Sequence, residues 1–418
     1  MSPTLAAATR FAERGIVTRP DTAHKQAATQ QTKTEQAGAD MDNKCDFLVI
    51  GAGIAGASAG YELGAHGSVI VLEREDQPGY HSTGRSAAVF TEAYGNAPVR
   101  GLTVSSRAFF EAPPDGFGDA PILSPRGVVF IGREDQQASL EAIYEETRSL
   151  VPGVQRIDAA EVLRRVPVLR PDYVAAGVLE PDAMDLDVNA LHQGYLRGLK
   201  SRGGRVVTDA DVTGLTRTTD GWSVETRAGT FAAPVVVNAA GAWCDVIGQM
   251  AGCQPLGLVP KRRTAFIFDA PDGVPVDDWS LVVDADEEFY FKPDSGRLLG
   301  SPADETPVEP CDVQPEELDI AIAADRIMKA TSVNIRHIRN KWAGLRSFVA
   351  DKTLVAGFDP VQDGFFWLAG QGGYGIQTSP AMATLSAALI TGQRFPEYIA
   401  DRGVSAAKLD PKRFSASP

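Results

Sequence analysis

Histidine and cysteine are both scarce, five and four residues in a chain of 418. The histidines (His24, His66, His81, His192 and His337) share no ligand spacing, so no zinc centre is signalled. No two of the cysteines (Cys45, Cys244, Cys253 and Cys311) are spaced as CxxC, which argues against a redox dithiol and suits reduced thiols in a cytoplasmic protein. Long apolar runs are missing too: none reaches the roughly 20 residues that span a bilayer. Positive charge is in deficit, 40 Lys and Arg against 54 Asp and Glu, a formal net charge of −14. That excludes the basic surface on which nucleic-acid binding depends. It leaves the active-site field open, because a few local arginines reverse its sign. No Ser/His/Asp set stands out for nucleophilic catalysis.

What the chain has is an apolar content of 44% against 22% charged residues, enough for a sizeable core in two intertwined domains. Residues 1–40 differ in kind. They are rich in Ala, Thr and Gln, poor in aromatics and have no apolar h-region. Arg10, Arg14 and Arg19 hint at a transit peptide, but Glu13 and Asp21 interrupt the pattern. The segment is expected to be a disordered extension, with Met41 as an alternative start.

Order is expected from Cys45. Asp46–Ile50 is a short apolar β-rich run, Ala57–Gly67 reads as a helix, and Ser68–Leu72 as a second buried strand, together a βαβ unit. Helices are predicted over 140–150, 159–165, 190–202, 316–331 and 379–391. Buried parallel strands are predicted at 235–238 and 365–369. Alternating segments between Lys261 and Leu299 suit an antiparallel sheet. The expected fold is α/β in the first part and α+β overall. A Rossmann nucleotide-binding domain (42–95, 190–255 and 345–400) is interleaved with a mainly antiparallel-sheet domain (96–189 and 256–344).

The turn Gly51-Ala-Gly-Ile-Ala-Gly56 stands between strand and helix, where a dinucleotide-binding turn must stand. Gly51 makes the tight turn, Gly53 lets backbone approach a pyrophosphate, and Gly56 lets helix pack on strand. The helix N-terminus offers free N–H groups to phosphate. Glu73 follows at the end of the second strand, placed for a ribose 2′-OH. A second small-residue loop, His81-Ser-Thr-Gly-Arg-Ser-Ala-Ala88, supplies backbone donors that favour FAD over NAD.

Six separated strings carry a resemblance: HSTGRSAA (81–88), LHQGYLRG (191–198), VNAAGAWCD (237–245), PKRR (260–263), WAGLRSFVAD (342–351) and QGGYGIQTS (371–379). With them the chain, from about Asp46 to Phe414, resembles the D-amino-acid oxidase/glycine oxidase superfamily of FAD enzymes. Within it the strings are most similar to those of bacterial D-arginine dehydrogenases. The resemblance implies a glutathione-reductase-like FAD domain and a substrate domain whose sheet caps the flavin. It implies FAD contacts from Gly51, Gly53, Ala55, Gly56, Glu73, Arg74, Thr83, Gly84, Arg85 and Ser86. It adds Val212 beside the adenine and Ala240, Gly241 and Trp243 in a second motif. Gly372, Gly373, Tyr374, Gly375, Ile376, Gln377 and Thr378 are implied under the isoalloxazine ring. Some relatives attach flavin through a cysteine near the C-terminal motif. Trp342–Asp351 has none, so FAD is expected to be non-covalent.

An amino-acid substrate calls for a guanidinium to match its carboxylate. The resemblance places Arg263, Arg346, Tyr290 and Tyr94 around that carboxylate and the carbonyl of Gly373 near the amine. It implies hydride transfer from Cα to flavin N5, then hydrolysis of the imino acid to a 2-oxo acid and ammonia. The partner would be a small D-amino acid, with the electron acceptor open among O2, a quinone and a carrier. A secondary-amine oxidase and a 2-hydroxyacid dehydrogenase are alternatives on the same fold.

Two positions depart from the D-arginine dehydrogenase pattern. Val89 stands where a histidine is expected beside flavin and amine. Gly127-Val128-Val129 stands where a glutamate should meet the guanidinium of the substrate. The side-chain end of the pocket is therefore expected to suit uncharged side chains, unless Glu92, Asp119 or Glu288 restores the charge.

Overall fold

The computed structural model describes residues 43–118, 120–149 and 151–414. The extension 1–40, with Met41, and Asp119 lie outside the described residues. Phe47–Ile50 is a strand with all four residues buried, because both faces are covered and the backbone groups are paired on both sides. It pairs in parallel with Val69–Leu72 and Val235–Asn238. The sheet has six strands in the order 355–358, 365–369, 235–238, 47–50, 69–72, 205–207. Only the pair of 355–358 with 365–369 is antiparallel.

The first helix, Ile54–Leu63, starts inside the glycine turn, three residues earlier than the sequence reading placed it. Gly53 stays extended and acts as the N-cap. Ala59 and Leu63 of this helix share one core with Val49, Val71 and Val237 of the sheet. Ala381, Met382 and Leu385 of the helix Gly375–Ile390 complete that core.

A nine-stranded sheet is built around Val259–Phe268, which pairs along its length with Ile338–Phe348. The sheet is antiparallel except where Leu281–Asp284 runs parallel to Val128–Gly132. Side chains alternate between faces with period two. Phe266, Phe268, Phe289 and Phe291 are fully buried on one face beneath the helix Glu317–Ala330. Each such side chain contributes about 1.5–3 kcal/mol. The alternate residues Arg263, Ala265, Leu281, Val283, Tyr290 and Lys292 therefore stand on the other face.

Among the elements that the sequence does not announce, two are long. Ala97–Glu111 is a helix although Pro98 and Gly101 are breaker residues in a sequence reading. Asn96 caps it by accepting from the Val99 N–H, and Pro98 lies in the first turn, where its missing N–H costs nothing. Gly101 is needed there, since a Cβ would stand 2.6 Å from the Arg402 carbonyl oxygen. The strand Ile338–Phe348 is masked in sequence by Arg339-Asn-Lys341, whose partners come from far along the chain.

Candidate active site

Three adjoining cavities run from the six-stranded sheet to the nine-stranded one. The first, about 350 Å³, lies at the C-terminal ends of the parallel strands and is lined by Gly51, Gly53, Ala55, Glu73, Arg74, Val212, Ala240, Gly241 and Trp243. Gly51 has φ +99°, and a Cβ on it would sit 2.5 Å from the Ala239 carbonyl oxygen. The Glu73 carboxylate accepts from the Ala52 N–H at 3.0 Å and from the Glu75 N–H at 3.1 Å, which pins the turn and leaves acceptor capacity facing the cavity. Arg74 stacks over Trp243 at 4.7 Å, and His81 packs on the same ring. Thr83 accepts from the Ile54 N–H at 3.0 Å, so the second small-residue loop docks on the first. His192, buried on the helix Val188–Ser201, joins its Nε2 to the Ala52 carbonyl at 2.8 Å. The sequence reading named neither that contact nor the wall residues Asp211 and Met250.

The second cavity, about 100 Å³, shares Ile54, Ser82, Thr83, Leu345, Gln371 and Gly372 with the first. Arg85, Ser86, Gly373, Gly375 and Ile376 complete its wall beside Gly344 and Arg346. Gly344 is paired with Arg263 across the strands and has no side chain to fill this space. The third cavity, about 120 Å³, shares Ser86, Ala87, Arg263, Tyr290, Arg346, Gly373 and Ile376 with the second.

Arg263 and Tyr290 stand on the cavity face for the period-two reason given above. Arg346 is paired with Lys261 in register, so it shares that face. Arg263 is 8% exposed; its Nε donates to the Asp304 carbonyl and its Nη2 meets Glu305 at 3.3 Å. Burial, and then the neighbouring charge of Arg346, push its guanidinium below the ordinary range. Arg346 donates to the Tyr94 hydroxyl at 3.2 Å and makes no ion pair among the described residues. A Cβ on Gly373 would meet the Arg346 guanidinium at 2.9 Å and the Tyr94 hydroxyl at 3.1 Å. Two guanidiniums, two phenols and one bare backbone segment thus converge, as a site for a carboxylate requires.

Several residues expected to touch FAD are engaged within the protein. Gly56 lies behind the turn, where a Cβ would overlap the Gly51 carbonyl oxygen, so it serves packing. Gly84 likewise faces the Gly79 carbonyl oxygen. The Arg85 guanidinium is taken up by Asp312 and the carbonyls of Val313 and Ala343. Tyr374 donates to the Lys352 carbonyl, and Thr378 to the Tyr374 carbonyl. The Gln377 amide is engaged with Thr91 and Thr103.

Val89 and Val128 line the third cavity as expected, with Phe130, Leu281 and Val283. Two of the substitutes considered for the missing acid, Glu92 and Glu288, are not part of the cavity lining. Glu92 pairs with Arg107 at 2.8 Å, and Glu288 lies 3.5 Å from Arg133. Glu287, in the turn before Tyr290, lines the cavity instead, as does Lys292. A turn has no fixed side-chain period, so the sequence could not separate Glu287 from Glu288. Lys292 was legible, two residues beyond Tyr290 on one strand.

Residues 46–389 match the model of the family described as FAD dependent oxidoreductase. The chain belongs to this family. Its cofactor is FAD, and the cradle fits one: Gly51 and Gly53 leave backbone bare, and the Gln371 side-chain nitrogen, at the junction of the first two cavities, is buried without a partner. Glycine oxidase of Geobacillus kaustophilus is 24% identical over 366 residues, 84% of this chain and 94% of that protein. Its crystal structure superposes with a TM-score of 0.76, covering 84% of this chain and 96% of that one. L-proline dehydrogenase from P. horikoshii is 21% identical with a TM-score of 0.77, covering 89% and 98%. Human mitochondrial dimethylglycine dehydrogenase is 24% identical over 267 residues, 62% of this chain but 30% of that protein.

Proposed function

We propose that this oxidoreductase deaminates D-amino acids to 2-oxo acids and ammonia. The observation that carries this reading is the Arg263–Arg346 pair, which opens on the cavity next to the flavin cradle and has, among the described residues, one ion pair, Glu305 with Arg263. Bound FAD supplies a two-electron acceptor for the substrate Cα–H bond. The chain's own residues bind and orient. Arg346 and Arg263 hold the carboxylate, the Tyr94 and Tyr290 hydroxyls donate to it, and the Gly373 carbonyl accepts from the amine. The amine reacts neutral, because an ammonium has no lone pair for the forming C=N bond. Preference for the D-enantiomer rests on the similarity of the six strings to D-arginine dehydrogenases. No cysteine stands in Trp342–Asp351, so FAD is held non-covalently and heat-denatured protein should release it into solution.

Val89, Val128, Phe130, Leu281 and Val283 make an apolar wall; of the charged residues on the lining, Lys292 is taken up by Asp185 at 2.7 Å and Glu287 stands in the turn before Tyr290. A cationic side chain would be desolvated against that wall. D-Met, D-Leu and D-Phe are therefore expected to be better substrates than D-Arg and D-Lys. Anaerobic mixing of the holoenzyme with both enantiomers of a panel tests the reading: bleaching of the flavin band by D- and not L-forms supports it. A kcat/KM for D-Arg far above that for D-Met would overturn the side-chain assignment. Subsequent exposure to air separates O2 from a quinone or carrier as acceptor.

A second reading has its own support. Glycine oxidase and dimethylglycine dehydrogenase are among the relatives, which suggests glycine or a secondary amine as substrate. Flavin bleaching by N-methylglycine, with no response to any D-amino acid, would favour it.

A further inference from the structure

Glu180 is 1% exposed, on the strand Ala176–Glu180 of the nine-stranded sheet. It makes no ion pair among the described residues. Its carboxylate accepts from the Thr91 hydroxyl at 2.6 Å and the Glu92 N–H at 2.7 Å, and the Ala93 N–H faces it as well. From the other side Gln377 clasps the same residue, its Oε1 accepting from the Thr91 N–H at 3.1 Å and its Nε2 donating to the Thr91 carbonyl at 3.2 Å. A buried carboxylate without a counter-cation is costly, and its retention in a core needs a reason.

The segment it holds supplies one. Val89, Thr91 and Tyr94 all line the third cavity, and the Tyr94 hydroxyl receives the Arg346 hydrogen bond. Thr91 hangs between two elements that otherwise belong to opposite walls, the nine-stranded sheet and the helix Gly375–Ile390.

We propose that Glu180 is a positioning residue for substrate binding, holding the Thr91–Tyr94 segment so that Tyr94 meets Arg346 and the cavity keeps its shape. This rests on the reading of the third cavity as a carboxylate site. Without the acceptor, the Thr91 hydroxyl and two backbone N–H groups lose their partner, and the segment shifts to satisfy them. The glycine turn and Glu73, at the centre of the flavin cradle, line the first cavity, and Glu180 does not.

Three variants of the holoenzyme test it, with benzoate as probe, a carboxylate on an apolar body that carries no oxidisable Cα–H. Binding is read from the change in the flavin absorption band, beside KM and kcat for whichever amino acid reduces the wild type. Glu180→Leu is expected to weaken benzoate and raise KM about 10-fold, with kcat and bound FAD within about 3-fold of wild type. Glu180→Asp keeps the charge but withdraws it, and should shift the same quantities the same way; it also serves if the Leu variant does not fold. Glu180→Gln can turn its amide so that Nε2 donates to Thr91 and Oε1 accepts from Glu92, and should restore binding to within about 3-fold. Unchanged benzoate affinity in both the Leu and Asp variants overturns the proposal. So does a Gln variant as impaired as Leu, because charge and not hydrogen-bond reach would then be at work. A wild type that binds benzoate but is reduced by no amino acid removes the deamination reading and leaves this one standing. A wild type that binds no carboxylate removes both.

Discussion

Arg346 illustrates how a surface-type residue comes to line a cavity. Its strand position turns it inward, its hydrogen bond goes to a neutral phenol, and its charge faces Arg263. Replacing it by Lys keeps the charge and removes the fork. One lost charge-assisted contact of about 1.5–3 kcal/mol predicts a fall in kcat/KM of roughly 10- to 100-fold, carried mainly by KM. Steady-state kinetics check this, and bound FAD per chain should not change. Glu180 makes a prediction at the same scale. Burial first, and then the repulsion of Glu92 (itself paired with Arg107), push its carboxyl up to about 7 against hydrogen bonds that lower it. An acid whose folded value lies above its unfolded value is stabilising below the unfolded value and loses that contribution as pH rises through the folded one. Relative to Glu180→Gln, the wild type should therefore lose stability between about pH 4.5 and 7. The loss is on the order of 3 kcal/mol. Equilibrium denaturation of both proteins across that range would show no divergence if Glu180 titrates normally.

At the scale of elements, the glycine turn and its helix depend on contacts that leave no room for a methyl group. A Cβ on Gly56 would overlap the Gly51 carbonyl oxygen, and backbone cannot swing aside as a side chain can. Gly56→Ala should displace the helix Ile54–Leu63 from the sheet. Overpacking costs about 1–3 kcal/mol, so the variant should lose FAD on gel filtration and melt several degrees lower. The sequence made this turn legible because every part of it is local: strand, glycines, helix and acid follow within one βαβ unit. The helix Ala97–Glu111 was not legible. Its Gly101 is explained by the Arg402 carbonyl, 301 residues away by numbering, and no local pattern reports that contact.

For the whole molecule, the three cavities form one path from the six-stranded sheet to the nine-stranded sheet, and the second is walled by residues of both regions. FAD bound along the first two should stabilise the native state through linkage, by about 2.7 kcal/mol at a hundredfold excess over Kd. Differential scanning of apo- and holoprotein should show a rise of a few degrees that grows with the logarithm of FAD concentration. A melting temperature independent of FAD would contradict a cradle that spans both sheets.

The amino-acid order by itself determined the dinucleotide turn and the buried parallel strands, which follow from local period and glycine geometry. Arg263, Tyr290 and Arg346 came from it through the resemblance that the six strings carry. The apolar positions Val89 and Val128 were also in the residues, as departures from a pattern. Only the tertiary structure decided what those positions face. It drew Glu92 to Arg107 and Glu288 to Arg133, and it turned Glu287 into the cavity. It gave the Gln377 amide and the Glu180 carboxylate to Thr91 in place of a ligand. The physical reason is that a charged or polar side chain takes its partner from whatever the fold brings within about 3 Å, and those partners are set by long-range packing that no stretch of sequence contains.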